Sequence, residues 1–600
     1  MTEPTPAPSA NPAPSADPSA PPAPSQTPTS APAPAPAPPS RYADKPWLHL
    51  LSDAQRAPVH PAPTLLHAFR ESVGRAPDRP ALAYFDGRLT YRETDLLSDS
   101  VAGHLAAEGL RHGDRVAIML QNSPHFVLAL LGAWKAGATV VPLNPMYKSA
   151  EVAHVLKDAE VTALICADRA WQQYLRETVA GAPSVTIALT GCELDLQSTD
   201  DERVLNLERL PPAEDADDLL TVARAGLDSP PGRELGADDT ALISYTSGTS
   251  GTPKGAMNSH GNIMVNAERQ RTGHPVAEGS AYFALAPLFH ITGMVCQLAA
   301  CLTNAGTLVL AHRFHPQVVL DAFAEHRPAY TVGPSTAFMA LAATPGASRE
   351  HFASFEVISS GGAPLPPALV EKFRAGFGPY LRNGYGLTEC TAPCASVPPE
   401  REAPVDPVSG TLSVGVPGPD TVVRIVDDKG QDVPFGEQGE IAVRGPQVVT
   451  GYWRLPEATA ETFPDGELRT GDIGFMDAEG WLYVVDRKKD MINASGFKVW
   501  PREVEDVLYT HPAVREAAVV GVPDAYRGET VKAYVALRPG AEATPAELSE
   551  YCRQRLAAYK YPREVDILPE LPKTTSGKIL RRELRSPQAR TPRQTQHASD

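Results

Sequence analysis

The sequence lacks any apolar run approaching the roughly 20 residues that a membrane-spanning helix requires. Its N-terminus has neither the basic start nor the apolar core of a secretory signal. These absences predict a cytoplasmic chain with no transmembrane segment, and they leave peripheral contact with a membrane open. Cysteine is sparse and unpatterned. The seven, Cys166, Cys192, Cys296, Cys301, Cys390, Cys394 and Cys552, are odd in number and include no C-x-x-C, so neither a disulfide framework nor a zinc site is expected. An excess of positive charge is missing too: 54 Lys and Arg face 71 Asp and Glu, a formal charge of −17. That disfavours nucleic acid or an anionic membrane as the main partner, while ATP needs only a local positive pocket.

What is present is enough for several cores, with 600 residues and 42% hydrophobic content. Residues 1–40 are almost all Pro, Ala, Ser and Thr, with no large apolar side chain after Met1 to offset the entropy of ordering them. They read as a disordered Pro/Ala-rich tail. From Thr64 the pattern becomes that of a packed domain: Leu65, Leu66, Phe69 and Val73 share one helix face, and Asp86-Gly87 marks a hairpin turn. Apolar strands at 115–120, 138–143 and 161–167 then alternate with single helices opened by Ser123-Pro124 and by Ser149, which predicts a parallel sheet covered on both faces. Residues 190–236 are acidic and proline-bearing and read as surface excursions. Residues 411–485 alternate in short strands between glycine turns and read as a β-rich subdomain. Beyond Asp486 a helix from Pro501, two strands and a capped helix at Thr544-Pro545-Ala546-Glu547 form a unit of about 100 residues, enough for a small separate domain. The fold class is therefore α/β: a large N-terminal domain over 41–486 with parallel-sheet subdomains and a β-rich subdomain, a small α+β domain over 487–585 that the resemblance given below implies is mobile, and a loose tail over 586–600.

Chemistry concentrates first at Thr246-Ser247-Gly248-Thr249-Ser250-Gly251-Thr252-Pro253-Lys254, directly behind the strand-like Ala241–Tyr245. Glycines let the backbone present its N–H groups, hydroxyls add donors and the lysine adds a positive charge, so the loop suits a polyphosphate. It is not the Walker loop, because Gly251 is followed by Thr252-Pro253 and Lys254 by Gly255. A Ser/Gly linker would need neither Pro253 nor Lys254.

Four more stretches follow in order: Pro287-Leu288-Phe289-His290; Asn383-Gly384-Tyr385-Gly386-Leu387-Thr388-Glu389; Arg469-Thr470-Gly471-Asp472 with Asp486-Arg487-Lys488-Lys489-Asp490; and Pro572-Lys573-Thr574-Thr575-Ser576-Gly577-Lys578. With the glycine loop, they resemble the adenylate-forming superfamily of acyl-CoA synthetases, luciferases and peptide-synthetase adenylation domains over roughly residues 60–585. The resemblance implies two steps. A carboxylate attacks the α-phosphate of ATP to give acyl-AMP and pyrophosphate, and a thiol then attacks the acyl carbon.

The resemblance also implies roles. Residues 246–252 and Lys254 would bind ATP phosphates. Gly361, Gly362 and Ala363 would line one side of adenine and Tyr385, within Asn383-Gly384-Tyr385-Gly386, would stack on the other. Thr388 would contact the α-phosphate, Glu389 would hold Mg²⁺, and Asp472 with Arg487 would take the ribose. Lys578 would bridge the carboxylate and the α-phosphate. Lys489 would be the hinge of the small domain, whose face bearing Ser495, Gly496, Phe497 and Lys498 would line the coenzyme A channel. His290 would gate or wall the acyl tunnel. Two positions depart from the common pattern: Ser250 keeps a hydroxyl, and Asp486 stands where many relatives have glycine. No acid follows His290 in Ile291-Thr292-Gly293-Met294, which disfavours an α-amino acid substrate, whose ammonium would be buried unpaired. Small residues at Gly293, Gly333 and Ser335 point to an open tunnel and so to a medium- or long-chain fatty acid. An aromatic, coumarate-type acid, and an acyl-AMP ligase that loads a separate carrier protein, are the alternatives. A luciferase-type oxidation has no specific support, and a silent nucleotide-binding scaffold is opposed by intact Glu389, Asp472, Arg487 and Lys578.

Overall fold

The structure is a computed structural model and describes residues 40–232, 234–246, 253–494, 497–524, 528–574 and 578–585. The helix expected behind Thr64 runs Leu65–Arg75, with the Thr64 hydroxyl accepting from the His67 N–H and Leu65, Leu66 and Phe69 in the core. Pro80–Tyr84 and Gly87–Thr90 pair antiparallel around Asp86-Gly87.

Among the described residues two large sheets carry the first part of the chain. One runs Asp217–Asp218, Ile187–Gly191, Ala163–Ala167, Arg115–Met119, Thr139–Pro142, Thr240–Tyr245 and Gly255–Ser259, parallel except for its last strand. The helix Pro124–Lys135 that crosses between two of its strands is buried on every face, which explains its nearly unbroken apolar sequence. The other sheet runs from Val416–Pro417 through Ala392–Ser396, Leu381–Leu387, Val357–Ser360, Tyr330–Gly333, Ala281–Phe283, Thr307–Leu310 and Pro80–Tyr84 to Gly87–Thr90. Its central strands are parallel, so their C-terminal ends, at Gly333, Ser360 and Leu387, open along one edge, where a parallel α/β sheet binds ligands.

The β-rich subdomain is an antiparallel sheet of Val422–Val426, Gly439–Arg444, Leu468–Met476 and Leu482–Arg487. The C-terminal unit packs the helices Pro501–Tyr509 and Pro545–Arg553 on a sheet built around Val514–Asp524 and Gly528–Leu537. Thr544 and Glu547 form the expected capping box. Residues 190–236 differ from expectation. They are not merely surface excursions: Asp217–Asp218 extends the first sheet, and Val204, Leu205 and Leu219 enter its core. Elements of two to five residues are too short to leave a periodicity. No described helix is long and apolar enough to cross a membrane.

Candidate active site

The glycine-rich Asn383–Glu389 stretch forms a strand and turn because its glycines admit a neighbour that no other residue could. A Cβ on Gly386 would lie 2.1 Å from the carbonyl oxygen of Ala392, so the antiparallel pairing of Leu381–Leu387 with Ala392–Ser396 requires glycine there. The register slips between Tyr385 and Gly386. From this strand the Tyr385 hydroxyl donates to Asp472 Oδ2 at 2.7 Å. Asp472 lies directly opposite Arg487 in the β-rich sheet, and Arg487 Nε is 3.3 Å from its other oxygen. Burial, reinforced by the Asp472 carboxylate, holds Tyr385 far above the usual phenol range and therefore protonated. Gly361 follows the strand Val357–Ser360, and a Cβ there would sit 3.8 Å from the Gly384 carbonyl oxygen. Gly362 has φ +75° with open space beside it, and Ala363 is half-buried next to it. Asn383 is committed to the fold: its Nδ2 donates to the Ser413 carbonyl and its Oδ1 accepts from the Gly384 N–H.

Of the phosphate loop, Ser247, Gly248, Thr249, Ser250, Gly251 and Thr252 lie outside the described residues, whereas its base is defined. The Thr246 N–H donates to the Lys254 carbonyl at 2.9 Å. The Lys254 ammonium stands over the Tyr452 ring, 4.9 Å from its centroid, and the Tyr452 hydroxyl donates to Glu389 Oε1 at 2.8 Å. Burial and the Glu389 carboxylate push Tyr452 well above its ordinary range, so it stays a donor. Asn258, from the strand that follows the loop, donates to the carbonyl of Thr388 and to the hydroxyl of Thr391, each at 2.9 Å. Lys254, Thr388 and Glu389 thus converge although more than a hundred residues separate them. The donor set is a single carboxylate, with no described group of three metal-ligating side chains. That suits Mg²⁺, a hard ion held by one or two carboxylates together with substrate phosphate oxygens.

Lys578 belongs to the C-terminal unit, where its backbone bonds to Thr574. The Thr574 N–H donates to its carbonyl at 2.7 Å, its own N–H donates to Thr574 Oγ1 at 3.0 Å, and the Leu580 N–H closes on Pro572. Burial lowers the Lys578 ammonium to about 8; repulsion by Arg487 and Arg581 adds to this, while Asp472 and Asp490 oppose it. His290 is depressed to about 4 by burial and then by the charge of Lys578. Its Nδ1 accepts from the Thr292 N–H at 3.3 Å, which puts the ring proton of the neutral imidazole on Nε2. Lys578 therefore lies within electrostatic reach of Asp472, Arg487 and His290.

The expected openness at three small residues is not what their size serves. A Cβ on Gly293 would be 2.1 Å from the Pro287 carbonyl oxygen and one on Gly333 2.6 Å from the Leu285 side chain, so protein already fills both spaces. The Ser335 hydroxyl donates to the Pro364 carbonyl. On the small unit, Lys489 sits in the 3-10 turn Lys488–Asp490, its ammonium lowered by burial and by Arg487. Ser495 and Gly496 lie outside the described residues; Phe497 belongs to the strand Phe497–Val499, and Lys498 is exposed there.

Sequence reasoning missed Tyr452 and Asn258. A tyrosine after a lone glycine and an asparagine within a short strand carry no signal until their partners are seen. It also missed the nearness of His290 to Lys578, since these come from different units.

Two family models match the chain: one described as AMP-binding enzyme over residues 69–453 and one described as AMP-binding enzyme C-terminal domain over residues 503–578. The chain is 35% identical over 565 residues to the long-chain-fatty-acid–CoA ligase of Bacillus subtilis, covering 90% of this chain and 98% of that one. It is 37% identical over 513 residues to a feruloyl-CoA synthase of Amycolatopsis, covering 85% and 96%. Among solved structures it is similar to the anthranilate CoA ligase AuaEII in complex with anthranoyl-AMP, with a TM-score of 0.79 and 26% identity over 89% of this chain and 98% of that one.

Proposed function

Because the chain belongs to the AMP-binding enzyme family, we propose that it is an ATP-dependent acid–thiol ligase, which activates a medium- or long-chain fatty acid as acyl-AMP and transfers it to coenzyme A. The observation that supports this reading is Lys578, a half-buried ammonium of the C-terminal unit within electrostatic reach of Asp472, Arg487 and His290. A carboxylate must approach a polyphosphate in the first step, and the repulsion between them is the main barrier to be lowered. Positive groups fixed in a water-poor site lower it far more than they would in solution. Lys578 would span the carboxylate and the α-phosphate, Lys254 would receive the departing pyrophosphate, and Thr388 would donate to the α-phosphate. Asp472 would accept from the ribose hydroxyls beside Arg487, with Tyr385, Gly361, Gly362 and Ala363 around adenine. The bond formed is between carboxylate oxygen and α-phosphorus; the bond broken joins that phosphorus to the bridging oxygen, which leaves with pyrophosphate. Mg²⁺, when bound, would be held by Glu389 and the phosphate oxygens and would neutralise charge there.

In the second step the coenzyme A sulfur would attack the acyl carbon, AMP would leave, and the thiol proton would pass to water. Lys489 would be the pivot that exchanges Lys578 for the face bearing Ser495, Gly496, Phe497 and Lys498. ATP and coenzyme A are cytoplasmic co-substrates, which fits a cytoplasmic location. The 37% identity to a feruloyl-CoA synthase favours one second reading, an aromatic acid in place of the fatty acid. A pyrophosphate-release series over acids of graded chain length together with hydroxycinnamates tests both. Fastest release with chains of about twelve carbons or more supports the first reading, fastest release with cinnamates replaces it by the second, and release with neither overturns both. Offering a phosphopantetheinylated carrier protein against free coenzyme A decides the acceptor.

A further inference from the structure

Where the strand Leu482–Arg487 meets the C-terminal unit lies an ion cluster that the proposed chemistry does not use. Arg581, three residues beyond Lys578, donates through Nη1 to Asp486 Oδ1 at 3.1 Å and to Asp490 Oδ2 at 3.4 Å. Its Nε and Nη2 donate to the Glu505 carboxylate at 3.2, 2.8 and 2.7 Å. Arg585 holds the other oxygen of Asp490 at 2.9 Å. The Asp486 side chain is 3% exposed, and its Oδ2 accepts from the backbone N–H of Arg502 at 2.9 Å. Arg502 is the second residue of the helix Pro501–Tyr509, so the carboxylate also satisfies an orphan N–H at that helix start. Arg502 Nη1 returns a bond to the Val484 carbonyl at 2.7 Å.

These contacts divide unequally about the turn Lys488–Asp490. Glu505 and Arg581 both belong to the C-terminal unit and would travel together if that unit turned. Asp486 belongs to the β-rich sheet and reaches across the turn to both Arg581 and the helix start. A buried carboxylate that loses its hydrogen-bonded partners is strongly disfavoured, so the orientation that keeps both bonds is the one Asp486 selects. That is also the orientation in which the half-buried Lys578 lies within electrostatic reach of Asp472, Arg487 and His290. We propose that Asp486 is a positioning residue for Lys578, a latch that holds the C-terminal unit with this lysine in the site. The proposal rests on the acid-activating reading given above.

The test separates the half-reactions in Asp486→Asn, which keeps the shape and removes the charge. Pyrophosphate release in the first turnover should fall tenfold or more, while acyl transfer from supplied acyl-AMP to coenzyme A stays within twofold of wild type or rises. Equal losses in both, or an unchanged first step, would overturn the latch. A wild-type protein that releases no pyrophosphate with any acid would instead sink the functional reading. A second measurement needs no turnover: an amine-reactive reagent, followed by peptide mass spectrometry, should label Lys578 several-fold faster in Asp486→Asn than in wild type. Unchanged labelling in a variant that melts cooperatively would refute the latch. Should Asp486→Asn not fold, Asp486→Ser, which retains an acceptor but no charge, takes its place under the same criteria.

Discussion

At the scale of single residues, the surroundings tune the ionisation of Lys578 and His290. Lys578, lowered to about 8, is about nine-tenths protonated at pH 7 and loses its charge as pH rises through 8. Adenylation requires the charged form, so kcat/KM for pyrophosphate release should be level near pH 7 and fall above pH 8. Measuring this step without coenzyme A keeps the thiol's own ionisation out of the profile. Lys578→Arg should move the descending limb above pH 10. Lys578→Ala should abolish it and slow adenylation on the order of a hundredfold, while acyl transfer from supplied acyl-AMP is spared. A descending limb that survives in Lys578→Ala would assign it to another group. His290, depressed to about 4, is neutral throughout this range, so no ascending limb near pH 6.5 is expected from it.

At the scale of elements, the paired strands Leu381–Leu387 and Ala392–Ser396 matter most, because Tyr385, Thr388 and Glu389 all lie on them or in the turn between. Gly386→Ala would drive a Cβ into the Ala392 carbonyl, and the strands must separate to admit it. The expected cost is about 1–3 kcal/mol of stability. First-turnover pyrophosphate release should fall more than tenfold, since the separation displaces Tyr385 from Asp472 and shifts Glu389 from Tyr452. Gly362→Ala is the contrasting case, with open space and only the strain of φ +75°, and it should cost about 1–2 kcal/mol. Thermal unfolding of the two variants checks the order. A Gly386→Ala protein as stable and active as wild type would show that this pairing does not position the site.

At the scale of the whole molecule, the first described residues are already packed into the fold. Tyr42 and Trp47 are fully buried, the Tyr42 hydroxyl donates to the Val433 carbonyl, and Trp47 packs where a side chain on Gly480 would stand. Removing residues 1–40 should therefore leave kcat/KM within about twofold of wild type, because their composition supplies neither buried surface nor catalytic groups. Extending the deletion through Trp47 should lower the unfolding temperature by several degrees through loss of two large buried aromatic side chains. A tenfold loss of kcat/KM on the shorter deletion would give the tail a function.

The sequence by itself determined the class of fold, and through a family resemblance it proposed roles for the loop 246–254, for Tyr385 to Glu389, for Asp472 with Arg487 and for Lys578. The fold class and the glycine loop are local patterns, apolar alternation between helices and glycines where backbone must turn or approach closely. Tertiary structure alone decided which of these groups meet. The Tyr385 bond to Asp472, the Tyr452 bridge between Lys254 and Glu389, and the electrostatic reach of Lys578 to His290 join residues 63 positions apart or more. No local periodicity encodes such contacts. The smallness of Gly293 and Gly333 shows the same limit from the other side. A missing side chain reads equally as room for a ligand or as close packing, and the Pro287 carbonyl and the Leu285 side chain settle it for packing. Asp486 is the sharpest instance: in sequence it is one departure from a common glycine, and in the fold it is the buried carboxylate that ties the β-rich sheet to both Arg502 and Arg581.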